Sequence, residues 1–70
     1  KWAKVEESVL FSGAKVGRNA VVRRAILDKN VVVEDGAEVG VNRDADVSRG
    51  FYVSDGGITV VPKGFRVHAQ

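Results

Sequence analysis

His68 is the only histidine in the sequence, and there is no cysteine. A Ser-His-Asp or Cys-His relay would have to rest on that one residue near the end of the chain. Zinc needs three or four ligands, so a histidine-cysteine metal site is excluded. Asp28 and the pair Glu34-Asp35 are the candidates for a carboxylate dyad. Carboxylates at outward turn positions are far more often solvated surface. Gly56-Gly57 lacks the G-x-x-x-x-G-K pattern and a following helix, so it is no phosphate loop. Arg23-Arg24 next to Lys29 is the basic cluster of most chemical interest, since equivalent hexads can stack basic groups on one face, but composition favours plain scattered basic surface. These residues predict no catalytic centre and no metal site.

What positions them is a repeat. In Val16 to Gly40 (VGRNAVVRRAILDKNVVVEDGAEVG) aliphatic residues recur at Val16, Val21 or Val22, Leu27, Val33 and Val39, a step of six from Val21 onward. Ala20, Ala25, Val31 and Ala37 follow at the small or branched position. Helices repeat their apolar residues at three and four, and half-buried strands at two. A six-residue step is the hexapeptide repeat of a parallel β-helix. Upstream, Val5 and Leu10 continue the aliphatic series, with Val9 and Ala14 at the small position. Gly13, Gly17, Asn19, Asn30, Gly36 and Gly40 fall at or beside corners, where positive φ suits glycine and asparagine. Val5 to Gly40 then makes about two coils, and their all-β fold is a left-handed parallel β-helix, against the usual crossover hand. An antiparallel sheet favours turn pairs such as Asn-Gly, which this stretch lacks, and the sustained six-residue register favours the β-helix.

After Gly40 the period stops. Val41 to Gly50 reads as a loop or a single helical turn. Phe51-Tyr52-Val53 and Ile58 to Val61 are strand-like, with Ser-Asp-Gly-Gly as the turn between them. Pro62 ends the second strand, and KGFRVHAQ is an extended tail whose Phe65 and Val67 would dock on a neighbour. The expected organisation is one domain: β-helix coils over 1–42, then a loop, terminal strand pair and tail over 43–70. Net charge is +2 with both signs interspersed, which suits a plain surface rather than a nucleic-acid arm. Apolar runs are too short to span a membrane, and no signal-peptide pattern is present. The abrupt start at Lys1 suggests a segment of something longer. A solenoid this short leaves an apolar end near Trp2 and Val5, which predicts self-association or marginal folding of the isolated chain.

The stretch RRAILDKNVVVEDGAEVG, followed by SRGFYVSDGGITVVPKG, closely resembles the C-terminal part of the bacterial glucose-1-phosphate adenylyltransferase family. The hexads alone are shared with many acyltransferases and sugar nucleotidyltransferases. The I-x-D-K-N segment at Ile26 to Asn30, joined to R-G-F-x-V-x-x-G-G-I-x-V-V at Arg49 to Val61, is far more specific. The likeness runs from about Val5 to Gly64; Trp2 and the tail lie outside it. It implies an enzyme that makes ADP-glucose and pyrophosphate from ATP and glucose 1-phosphate with Mg²⁺, for glycogen synthesis in the cytoplasm. Its catalytic residues sit in an N-terminal Rossmann-like domain, which this chain lacks, so Mg²⁺ and ATP belong to that domain and no cofactor to this chain. The implied partners are that domain, further copies in a homotetramer, and sugar-phosphate or nucleotide effectors; neither nucleic acid nor membrane is expected. In the family, basic residues at the positions of Lys29 and Lys63 bind effector phosphates. Both lysines stand at turns, where two ammonium groups suit a compact dianion. A hexapeptide acyltransferase would want a histidine between coils, and Val5 to Gly40 has none. A purely structural trimer module would not need the elaborate Arg49 to Val61 segment.

Overall fold

The computed structural model describes residues 2–69. Along the chain run β1 (Lys4–Glu6), β2 (Val9–Leu10), β3 (Lys15–Val16), β4 (Val21–Arg23), β5 (Ala25–Leu27), β6 (Val32–Val33) and β7 (Glu38–Val39). Then follow α1 (Arg43–Ser48), β8 (Tyr52–Val53), β9 (Thr59–Val61) and β10 (Arg66–Val67). They form three sheets ordered β1-β4-β7, β2-β5-β9-β8 and β3-β6-β10. Every pairing is parallel except β8 with β9. Successive strands thus belong to successive sheets, the arrangement of a β-helix.

Between the first two rungs the partners Lys4 and Val21, Val9 and Ile26, and Lys15 and Val32 all stand 17 positions apart. That spacing is one step of five and two of six. The short step falls at the corner after β1 and β4, which one left-handed residue turns, Glu7 or Arg24. The longer steps use two-residue turns, with positive φ at Gly13, Asn19, Asn30, Gly36 and Gly64. The mixed step settles the register. Val22, rather than Val21, is the buried residue of β4. Val9 faces outward, and Ser8 takes the small position; its hydroxyl accepts from the Ala25 amide at 3.2 Å. Gly17 is needed for a different reason than expected: its φ is not positive, but a Cβ there would meet the Asp35 amide nitrogen at 2.7 Å.

Inward side chains stack in columns. Val22, Leu27, Val33, Val39, Val61 and Val67 are buried, with Ala20, Ala25, Val31, Ala37 and Thr59 two positions ahead of five of them. Each fully buried valine or leucine contributes roughly 1.5–3 kcal/mol, so these columns hold the solenoid together. The hexads up to Gly40 supply two rounds and the first strand of a third. The rest of the third round comes from β9 and β10, where the periodicity predicted a terminal hairpin and a free tail. The hairpin exists, since β8 pairs antiparallel with β9. Its second strand is also a rung of the solenoid. Phe65 and Val67 pack into the chain's own core, not onto a neighbour.

The repeat is hidden by an insertion. Ala25 pairs with Thr59, 34 positions on, so a second 17 residues leave the solenoid between β7 and β9. Gly40 opens this detour; its φ is +79°, and a Cβ there would collide with the Arg23 carbonyl. Asn42 caps α1, its side chain accepting from the Ala45 amide at 3.1 Å, as asparagine does at helix N-termini. Asp46 is buried, and one of its oxygens accepts from the Gly40 amide at 3.0 Å and the Thr59 hydroxyl at 3.3 Å. Phe51 is buried beside Phe65, edge to face at 4.9 Å between ring centroids. The detour thereby closes the third-round end of the core.

Candidate functional site

Lys29 lies in the turn Asp28-Lys29-Asn30 from β5 to β6, and Lys63 in the turn Pro62-Lys63-Gly64 from β9 to β10. Leu27 pairs with Val61, so the two lysines hold the same turn position on neighbouring rungs. The turns are copies of each other. Val31 N donates to Asp28 O at 3.3 Å, and Phe65 N to Pro62 O at 3.2 Å. The next residue is left-handed in both, Asn30 at +60° and Gly64 at +73°. Gly64 N donates to Lys29 O at 2.9 Å, which locks one turn onto the other. Ser12 occupies the corresponding place on the first rung, where its carbonyl accepts from Asn30 N at 3.0 Å. Rungs are spaced about 4.8 Å, so two ammonium groups can reach one phosphate-sized anion. Both lysines are exposed, and neither joins an ion pair among the described residues.

The other candidates do not join this corner. Arg24 sits at the far end of β5 from Lys29, donating to Gly56 O at 2.9 Å, with Glu7 at 4.0 Å. Arg23 pairs with Glu6 at 3.0 Å on another sheet. Arg23-Arg24 therefore do not stack with Lys29 on one face, because β5 separates them. The carboxylates do not form a dyad either. Glu34 accepts from Arg66 at 3.1 Å and meets His68 Nδ1 at 2.9 Å, while Asp35 accepts from Arg18 N at 2.8 Å. The His68 and Arg66 hydrogen bonds hold the Glu34 carboxyl below its ordinary range, against an opposing effect of burial. Gly57 takes φ +84° in the β8–β9 turn, a hairpin role and no phosphate loop. Among the described residues there is no cluster of three metal-ligating side chains, and no helix is long and apolar enough to cross a membrane.

Two residues given no role of their own by the sequence, Asp46 and Arg49, fasten the detour to the solenoid. Asp46 pins the detour at the mouth of β9, whose far end carries Lys63. Arg49 donates to Glu38 O at 2.8 Å, Asp46 Oδ1 at 3.4 Å and His68 O at 3.4 Å, and its guanidinium lies 5.9 Å from the Phe51 ring centre. It ties detour, solenoid and tail together. Nothing in the local sequence distinguishes Asp46 from the exposed Asp44 beside it.

A solenoid built from hexads belongs to a known class. The chain belongs to the family described as GlmU-like, C-terminal hexapeptide, which it matches over residues 1–61. Within that class, three of its relatives carry the same name. It is 58% identical over 67 residues to the glucose-1-phosphate adenylyltransferase of Cutibacterium acnes, covering 96% of this chain and 16% of that protein. The enzyme of the same name from Frankia casuarinae is 58% identical over 66 residues, 94% of this chain and 16% of its own length. That of Trichlorobacter lovleyi is 45% identical over 62 residues, 89% and 15% respectively. The chain thus spans about 16% of the length of these relatives.

Proposed function

We propose that this chain is the C-terminal assembly and effector-binding portion of a glucose-1-phosphate adenylyltransferase, working in the cytoplasm. The observation that carries this reading is the 58% identity across 96% of the chain, set against 16% of the relative's length. In this reading the catalytic domain precedes the solenoid and supplies the ATP, Mg²⁺ and glucose 1-phosphate sites. The solenoid winds left-handed, packs against that domain, and joins copies into a homotetramer. Its own ligand site is the Lys29–Lys63 corner, which holds a phosphate of a sugar-phosphate or nucleotide effector. The shared turn position of the two lysines supports this, because stacked cations on a rigid wall are preorganised for a dianion.

The pure chain mixed with ATP, Mg²⁺ and glucose 1-phosphate is expected to release no pyrophosphate above background; turnover would sink the reading. In the longer enzyme, Lys29→Ala or Lys63→Ala should weaken the response to sugar phosphates while leaving unactivated turnover nearly intact. Activation curves unchanged in both variants would remove the corner from the site.

A further inference from the structure

The sheet β2-β5-β9-β8 differs from the other two in one row of outward side chains. Pairing aligns Val9 with Ile26, Ile26 with Val60 and Val60 with Tyr52, so every position in the row is apolar. The corresponding rows elsewhere carry charge: Lys4, Val21 and Glu38 on one sheet, and Lys15, Val32 and Arg66 on the other. Phe11 and Ile58 widen the strip, and both are exposed, as are Val9 and Tyr52. A continuous apolar strip with a polar rim marks an interaction surface.

The flanks of the row say what covers it. Two positions before the row stand Glu7, Arg24 and Ile58; two positions after it stand Phe11, Asp28 and Pro62. A twofold axis over the row, parallel to the solenoid, turns the first flank onto the second flank of another copy. Arg24 then faces Asp28 of the second copy, twice by symmetry. Ile58 faces Pro62, and the hydrocarbon of Glu7 lies over Phe11. The other in-plane twofold, along the strands, sets Arg24 against Ile58 and Asp28 against Pro62, so both charges meet apolar groups. Asp28 has no ion-pair partner among the described residues. Arg24 binds Gly56 O through one terminal nitrogen and its Nε stands 4.0 Å from Glu7, which leaves the donors of its other terminal nitrogen.

We propose that this face is a self-docking surface, on which a second copy of the chain packs row against row about a twofold axis parallel to the solenoid. The proposal rests on the assembly role above and names its surface. Six residues cover well under the roughly 800 Å² per partner of a standard interface. The isolated chain therefore dimerises weakly.

The chain has no cysteine, so single cysteines report on the face directly. Packed sheets lie about 10 Å apart, a gap that a short bismaleimide bridges. Ile26→Cys and Val9→Cys should each cross-link to a dimer at least about tenfold faster than Val32→Cys on a different sheet. Adding Asp28→Arg should slow linking at position 26, and a further Arg24→Asp should restore it. Equal rates at positions 26 and 32 overturn the proposal, and so does linking at 26 without linking at 9. Sedimentation on the same samples separates the two readings. A chain that associates without preferential linking at 26 loses this surface but keeps the assembly role. A chain that stays monomeric to millimolar concentration loses both.

Discussion

The first and third rounds of strands present the same inward positions, yet Val5 and Leu10 remain 44% and 39% exposed while Val39, Val61 and Val67 are fully buried. The difference lies above and below the rungs. The third round has the second beneath it and Phe51 over it. The first has only the second, and its outer edge is open. A repeat supplies the side chains, but a neighbouring layer decides what each contributes. Equivalent valines and leucines therefore carry very different shares of the stability, and the first round keeps an open strand edge in addition to the apolar row on its face.

The contrast is broken most severely by removing the cover. Phe51→Ala should cost about 3 kcal/mol, as for a buried aromatic that leaves a cavity. Leu10→Ala at the open end should cost less than about 1 kcal/mol, since much of that side chain is already in water. Denaturant titrations of the two variants measure this directly, and equal losses would erase the distinction between the ends.

Asp46→Ala comes next. It leaves the Gly40 amide and the Thr59 hydroxyl without their acceptor, at a cost of about 2 kcal/mol. Because the clip holds the detour, Tyr52 and Val53 should gain proteolytic sensitivity while β1 to β3 do not. A uniform increase would mean that the detour and the first round melt together.

Hydrogen exchange sharpens the comparison without any mutation. Amides of β9 and β10 should exchange roughly tenfold or more slowly than those of β1 to β3. Flat protection along the solenoid would remove the gradient.

The smallest effect concerns the tail. Glu34 is held below its ordinary value of 4.5 by His68 and Arg66. A depressed carboxylate contributes stability that is present above its unfolded pKa and is lost as pH falls through the folded value. Melting temperature should therefore drop below about pH 4.5, and Glu34→Gln should flatten part of that slope. The exposure of the pair keeps the change modest. An identical slope in the variant would show that this clasp does not couple to folding.

How far the sequence carried the structure depended on how local the determining contacts are. The hexads were legible because each inward residue and each corner lies within six residues of the next. Asn30 and Gly36 could be placed from their preference for positive φ alone. The choice between Val21 and Val22 was not legible, since it turns on a five-residue step made by Arg24, a residue with no intrinsic taste for φ +45°. The rest of the third round was hidden because β9 and β10 stand 34 positions from their partners, and no window of a few hexads spans that gap. The lysine corner was found through family likeness. Its stacking, Lys29 over Lys63, depends on the same long pairing and could not be read from either turn. Asp46 stayed invisible because its role is set entirely by two groups that folding brings to one carboxylate oxygen.

That oxygen makes the detour a portable part. The chain leaves the wall after Gly40 and returns at Thr59, and the fastener that closes the gap belongs to the departing segment itself. A host solenoid would need to supply a glycine at the exit, a hydroxyl on the receiving rung, and an aromatic ring and backbone carbonyls where Phe65, Glu38 and His68 receive Phe51 and Arg49. Since closing a longer loop adds only about 0.6 kcal/mol for each doubling of its length, the cargo beyond the clip can grow while the wall on either side keeps its register.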